Sequence, residues 1–251
     1  MNINEIEKSV CLCLDKRKES WLELEDDLDK VGIKMNRFIV GDGKILDCEY
    51  DLIDTNEIPS FITSSELGDS TDYTTWYNRP NAYNAFKSHI KIMKQAREEG
   101  CKNILMLEDD SILTNDFAEM LEELPSTGWD ALYLGWFASE KTELYHHGEN
   151  DDIAARKIGG FHGVIVNHTM FDCICAAPPV APLDNIVGTR LSSQFTYYIC
   201  MPQIILQKAG LYSEVEGQVN WSVGVEKQIM EAYDCLRLQN KHRQIVQGRI
   251  E

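Results

Sequence analysis

Apolar positions along the chain fall into two periods. Ser9-Val10-Cys11-Leu12-Cys13-Leu14, apolar from Val10 onward, predicts a first strand, ended by Asp15-Lys16-Arg17. Trp21, Leu24, Leu28 and Val31 then recur at helical spacing, and Gly32 marks the helix end. Met35 to Val40 predicts a second strand, closed by the turn signal Gly41-Asp42-Gly43. A β-α-β unit of this kind implies parallel strands joined by a right-handed crossover. Asn81 to Glu99 predicts a helix with the stripe Ala82, Phe86, Ile90 and Met93, stopped by Gly100. Lys102 to Glu108 follows as a strand whose core, Ile104-Leu105-Met106-Leu107, is apolar throughout. Four such residues in a row fit a strand buried on both faces.

Beyond that strand the pattern continues in shorter pieces. A helix is expected from about Asn115 to Leu124, a strand at Ala131 to Trp136, and a strand at Gly160 to Asn167. A short helix over about His168 to Ala176 is broken by Pro178-Pro179-Val180-Ala181-Pro182, and Asp184 opens a new short element. Phe195 to Met201 predicts a strand, Pro202 to Leu211 stays apolar, and Val225 to Leu238 predicts a last helix ending in basic Lys241-His242-Arg243. Two stretches lack a period. Residues 47–78 are acidic and rich in Ser and Thr, and read as a long loop ending in Trp76 and Tyr77, either to stack on a base or sugar or to pin the loop to the core. Residues 138–157 are polar, with His146 and His147 expected on a solvated loop.

The length of 251 residues suits one α/β domain. We expect a first half over about 9–110, a second over about 111–215, and a C-terminal helix and tail over about 222–251. Net charge is −17, from 41 acidic and 24 basic residues. That excess disfavours nucleic acid and anionic membrane surfaces as partners, and it repels phosphate-bearing substrates unless a local cation intervenes. No apolar run reaches transmembrane length, and the polar, acidic stretch Met1 to Ser9 does not read as a secretory signal, so a cytoplasmic location is expected. The eight cysteines show no CxxC pair; Cys11 with Cys13 and Cys173 with Cys175 are expected as buried free thiols.

The chemistry-bearing feature is Glu108-Asp109-Asp110, placed directly after the buried strand. Carboxyl ends of strands in α/β sheets are where ligands bind. Mg²⁺ and Mn²⁺ prefer carboxylate oxygen and often bridge to phosphates. Glu108 and Asp110, two apart, would share a side in an extended segment, with Asp109 facing away; alternatively Asp110 caps a turn at the strand end. The turn Leu14-Asp15-Lys16-Arg17 should lie at the same sheet edge. There Arg17 could meet a phosphate and Asp15 a uracil or ribose, or Asp15 could simply cap the helix. His89 and His162 are open between ligand and packing roles. No glycine-rich phosphate loop, zincin motif or nucleophile elbow occurs.

These blocks resemble glycosyltransferase family 25, which includes lipooligosaccharide and collagen galactosyltransferases. The similarity rests on Val10-Cys11-Leu12-Cys13-Leu14-Asp15-Lys16-Arg17, on Arg37-Phe38-Ile39-Val40-Gly41-Asp42-Gly43, and on Ser88-His89 about twenty residues before Glu108-Asp109-Asp110. Gly163-Val164-Ile165-Val166, Pro182-Leu183-Asp184 and Gln207 through Tyr212-Ser213 follow in the family's order. Departures are Glu19-Ser20-Trp21, where the family often has an arginine, and Phe161 lying upstream of the later strand instead of within it.

The resemblance implies a GT-A type nucleotide-diphospho-sugar transferase fold with a mostly parallel central sheet. It implies a UDP-sugar donor, often UDP-galactose, a divalent metal (Mn²⁺ or Mg²⁺), and inversion at the anomeric carbon. On that reading Glu108 and Asp110 hold the metal and Asp109 helps order the donor. Leu14, Asp15, Arg17, Ser88 and His89 form the donor site. Asp184 is the candidate general base, or else a helix N-cap. The acceptor would be a glycan, glycolipid or protein hydroxyl. The alternatives are nucleotidyl transfer, nucleotide-sugar hydrolysis, or a non-catalytic relative that binds a glycan or protein.

Overall fold

A computed structural model describes residues 1–40, 80–137, 142–147, 152–178, 182–208, 212–213 and 218–219. The turn Gly41-Asp42-Gly43, the 47–78 loop with Trp76 and Tyr77, and the expected helix Val225 to Leu238 with its basic end lie outside the described residues.

The first strand, β1 (Lys8–Leu14), is followed by a 3₁₀ turn at Asp15–Arg17, helix α1 (Lys18–Lys30) and β2 (Asn36–Val40). β1 and β2 pair in parallel, as the β-α-β pattern requires. Helix α2 (Pro80–Glu98) leads into β3 (Asn103–Glu108), which pairs in parallel with the other side of β1. Both long helices stop as their glycines predict. Gly32 and Gly100 adopt φ of +81° and +73°. The next residues fold back, Ile33 N–H to Leu28 O at 2.9 Å and Cys101 N–H to Ala96 O at 3.0 Å. A side chain would strain that left-handed position, so glycine sets where each helix ends.

The chain then adds β4 (Ser111–Leu113), α3 (Phe117–Glu123), β5 (Ala131–Tyr133), β6 (Glu143–His147), β7 (Asp152–Arg156) and β8 (Gly163–Asn167). A 3₁₀ turn and α4 (Phe171–Cys175) come next, then helical turns over Leu183–Asn185, Ile186–Arg190 and Leu191–Ser193. β9 (Tyr197–Ile199), β10 (Ile205–Gln207), β11 (Tyr212–Ser213) and β12 (Gln218–Val219) complete the described strands. The main sheet has the order β2-β1-β3-β8-β5-β9-β7-β6. It is parallel through β2-β1-β3, antiparallel at β3-β8 and β8-β5, parallel again at β5-β9, and antiparallel through β7 and β6. The expectation of a mostly parallel sheet therefore holds for its first three strands, and the whole is mixed. The polar 138–157 stretch, expected as loop, contains the β6–β7 hairpin. Among the described side chains of β6 and β7 the buried apolar ones are Leu144, Ala154 and Ala155, and the two alanines carry little strand signal.

Helices cover both faces. Val10, Leu12, Ile104 and Met106 share one core with Phe86, Ile90 and Met93 of α2 and Phe171 and Ile174 of α4. Cys11, Cys13, Leu105 and Leu107 share the other with Trp21, Leu24 and Leu28 of α1 and Phe117 and Leu121 of α3. Alternate residues of β1 and β3 thus enter opposite cores, which is why their sequences are apolar without alternation. The buried stripe on α2 is Phe86, Ile90 and Met93 with Ile92 and Ala96 beside it. Of the cysteines, Cys11, Cys13 and Cys200 are buried, but Cys173 is exposed on α4, against the expectation of burial. Among the described residues no helix is long and apolar enough to cross a membrane.

Candidate functional site

The parallel register of β1 and β3 sets Leu12 opposite Glu108. The end of β1 and the acidic turn therefore emerge at the same edge of the sheet. β3 ends at Glu108, and Asp109-Asp110 form a turn into β4, so the three carboxylates are not on one extended segment as expected. They diverge in environment.

Asp109 turns inward. Only 4% of it is exposed. Its Oδ2 accepts the Leu14 N–H at 2.8 Å and its Oδ1 accepts the Arg17 guanidinium at 2.9 Å. Both carboxylate oxygens serve to lock the β1–α1 turn, which makes Asp109 a positioning residue and explains why it faces away from its neighbours. Arg17, expected to reach a phosphate, has one arm committed to Asp109. Asp15 points outward with 73% of its side chain exposed, 3.9 Å from the Arg37 guanidinium. It caps nothing: the positions that start the 3₁₀ turn and α1 are Leu14 and Arg17, and neither makes a side-chain cap.

Asp110 is buried. Its Oδ2 accepts from Gln207 Nε2 at 3.0 Å, its carbonyl accepts the Lys208 N–H at 2.6 Å, and its Oδ1 has no hydrogen-bond partner. Gln207 arrives through the β4–β10 pairing, which sets Ser111 opposite Gln207. Burial, then the Asp109 charge, pushes the Asp110 carboxyl up to about 6. Glu108 keeps 31% of its side chain exposed and so opens to solvent. Partial loss of hydration, followed by the charges of Asp110, Asp184 and Asp109, still raises its carboxyl above the usual range, with Arg17 opposing and the open side screening the effect.

α2 supplies the wall beside Glu108. His89 is buried, with Nδ1 2.9 Å from the Ala85 carbonyl. A carbonyl can only accept, so Nδ1 carries the proton and Nε2 presents its lone pair. Nε2 lies 3.7 Å from Glu108 Oε1 and has no hydrogen-bond partner. Burial lowers the ring to about 4, so it is neutral at pH 7. The neighbouring Ser88 is also buried, and its Oγ has no partner. Phe161 packs on the His89 ring with centroids 5.3 Å apart.

β8 runs antiparallel to β3, so the segment before it, Gly159 to His162, reaches this same edge. Asp184 sits one residue inside its helical turn, whose N-cap position is Pro182 without a side-chain cap. The N-cap alternative for Asp184 is therefore corrected: its Oδ2 crosses to accept the Gly160 N–H at 3.2 Å. Asp184 is near enough to raise both Glu108 and Tyr133. His162 is fully buried beside the Phe137 ring at 4.7 Å. It fills a slot where Cβ atoms on Gly135 or Gly160 would collide with its ring, which favours a packing role.

The structure thus gathers Glu108, Asp109, Asp110, Leu14, Arg17, His89 and Asp184 at one sheet edge and leaves Asp15 at its rim. Sequence reasoning placed Gln207 only within a family block and gave it no role; nothing local links it to an acid 97 positions away. Among the described residues no three His, Cys, Asp or Glu side chains are placed to cage a metal ion. The unpartnered Asp110 Oδ1 and the solvent-facing Glu108 are two carboxylates, so an ion held there would draw most of its ligands from water and substrate.

No protein-family model matches the chain, and no curated protein matches it. Among solved structures it is similar to a crystal structure of A197 from STIV, at 10% identity over 87% of this chain and 96% of that one, with a TM-score of 0.36. A likeness at that level carries no argument about fold or function.

Proposed function

We propose that the chain is a metal-dependent glycosyltransferase of GT-A type, related to glycosyltransferase family 25, which moves a sugar from a UDP-sugar to a hydroxyl acceptor with inversion. The observation that carries this reading is the acidic turn at the carboxyl edge of β1 and β3: Glu108 opens to solvent, Asp110 Oδ1 is buried without a partner, and one arm of Arg17 is held by Asp109. Among the described residues Glu108, Asp109, Asp110 and Asp184 outnumber the cations near them, Arg17 foremost, so the site is short of positive charge.

Glu108 and Asp110 would hold Mn²⁺ or Mg²⁺, which offsets the charge that develops on a diphosphate leaving group. Asp109 acts through Arg17 and the Leu14 N–H, fixing the turn against which the nucleotide would lie. Asp15, exposed at the rim, is available to a ribose or base. From α2, His89 stands beside Glu108, and Ser88, its neighbour in the chain, would support the donor site from the same helix. Asp184, oriented by Gly160 N–H, would take the proton from the acceptor hydroxyl as it attacks. Galactose as the sugar, and a glycan, glycolipid or protein as acceptor, rest on the resemblance.

The test is UDP release from a panel of UDP-sugars, followed by product analysis. Asp110→Ala should remain folded and lose turnover by a factor of 10² or more, on the order expected for losing electrostatic stabilisation of the leaving group. Transfer at the normal rate by that variant would refute the metal assignment.

A further inference from the structure

The guanidinium of Arg37 carries two donors that nothing in the fold uses. β2 sets Arg37 opposite Cys11 of β1. From there its head reaches the turn that follows β1, where it lies 5.9 Å from the centroid of the Trp21 ring and 3.9 Å from Asp15 Oδ1. The ring contact steadies the cation. Nε–H and Nη2–H share one edge of the planar group, and both nitrogens are buried without a hydrogen-bond partner. Two unmet buried donors are costly. Asp15, with 73% of its side chain exposed, stands beside them but does not bond, since 3.9 Å exceeds the about 2.7–3.2 Å that a hydrogen bond needs.

An edge of donors beside a carboxylate acceptor selects its ligand by chemistry. A phosphate or carboxylate would satisfy the Arg37 donors but lie against the Asp15 charge. A neutral ring with a carbonyl oxygen next to an N–H satisfies both sides: the oxygen accepts from Arg37 and the N–H donates to Asp15. Amide geometry sets that oxygen and nitrogen about 2.3 Å apart. Hydrogen bonds of about 2.9 Å that splay outward from them reach partners with the spacing of Nη2 and Oδ1. Uracil and guanine carry this lactam edge. Cytosine and adenine carry the reverse, an amino group next to a bare ring nitrogen, which sets donor against donor and lone pair against carboxylate. The position also fits. Arg37 comes from the β2 side of β1, and the Glu108 to Asp110 turn from its β3 side. Two strand spacings, about 10 Å, separate those strands, a span that a ribose and its phosphates bridge.

We infer that Arg37 and Asp15 together read the lactam edge of the donor's base, admitting uracil or guanine and rejecting cytosine and adenine. The inference rests on the transferase reading and deepens it, because it names the side chains that choose the nucleotide and gives Arg37 a specificity role.

The test is calorimetric titration of UDP, GDP, CDP and ADP into the full chain with saturating Mn²⁺, with uridine and guanosine alongside. UDP or GDP should bind more tightly than CDP and ADP by about tenfold or more. UDP ahead of GDP supports a UDP-sugar donor; GDP ahead of UDP supports the inference with a guanine nucleotide instead. Arg37→Gln should weaken the preferred nucleotide by about tenfold and leave CDP unchanged. Asp15→Asn alters an exposed side chain and so spares the fold. It puts an amide donor where the carboxylate was, so CDP should bind more tightly than in the parent and the preference should shrink to about threefold or less. A parent that binds CDP or ADP as tightly as UDP and GDP, or a preference that survives both substitutions, overturns the inference; metal-dependent UDP binding in that same experiment leaves the transferase reading standing. That reading fails separately if the preference responds to both substitutions as expected but uridine or guanosine binds as tightly as its diphosphate, with or without Mn²⁺.

Discussion

Asp109 and Asp110 are adjacent and chemically alike, yet the structure gives them opposite energetics. Asp109 has an N–H and a guanidinium for its two oxygens, so its charge is matched. Asp110 has one amide donor for two oxygens, and burial with a charged neighbour raises its carboxyl to about 6. An acid whose pKa is higher in the folded state than in the unfolded chain lends stability below about pH 4, and that contribution is lost as the pH rises through 6. At pH 7 the metal-free protein should therefore carry a penalty on the order of 2–3 kcal/mol at this residue. Asp110→Asn should be more stable than the parent at pH 7, by about that amount, and lose the advantage near pH 4. Urea denaturation at both values with EDTA present checks this; equal stability at pH 7 would mean that Asp110 is not strained. The acidic triplet and its place after a buried strand were legible in the sequence. The separate fates of its members were not, because they depend on Leu14, Arg17 and Gln207, which come from other strands and turns.

At the level of elements, the legible ones combined a strong period with a stop signal. α1 and α2 have apolar stripes closed by Gly32 and Gly100, and β1 and β3 have continuous apolar runs. What escaped was short or carried by pairing. β4 is three residues long and exists because β10 pairs with it, and the β6–β7 hairpin lies in a mostly polar stretch and is defined by its pairing. Strand direction beyond β3 also escaped, since no β-α-β pattern specifies it. The helical turns that carry Asp184 depend on a close backbone approach: a Cβ on Gly188 would fall inside the carbonyl of Ile158, whose own N–H donates to Gly188 O at 3.2 Å. Backbone cannot move aside as a side-chain tip can. Gly188→Ala should cost about 1–3 kcal/mol and pull Asp184 off Gly160. Thermal denaturation beside UDP-release assays would show both losses; wild-type values in each would mean the segment docks differently.

For the whole molecule, the sheet changes from parallel to antiparallel between β3 and β8, and the candidate site lies where that change occurs. β1 and β3 deliver their carboxyl ends to this edge, β8 delivers the segment before its start, and α2 and the turns after Pro182 close it from the side. Strand order reverses between β1 and β3, and in open α/β sheets ligand crevices form outside the carboxyl ends at such a point because adjacent connections part there. A net charge of −17 surrounds it, so an anionic substrate must be met by a local cation. The convergence of His89, Glu108 and Asp184 across 96 positions of sequence is a property of this topology and could not be seen in any one segment.

The most direct measurement is calorimetric titration of UDP into the full chain, first with Mn²⁺ and then with EDTA. The proposed transferase predicts saturable binding with the metal, a loss of at least tenfold in affinity with EDTA, and the same loss in Asp110→Ala with the metal present. UDP binding that ignores both the metal and Asp110, or no UDP binding under either condition, would contradict the assignment of this acidic edge as a metal-diphosphate site.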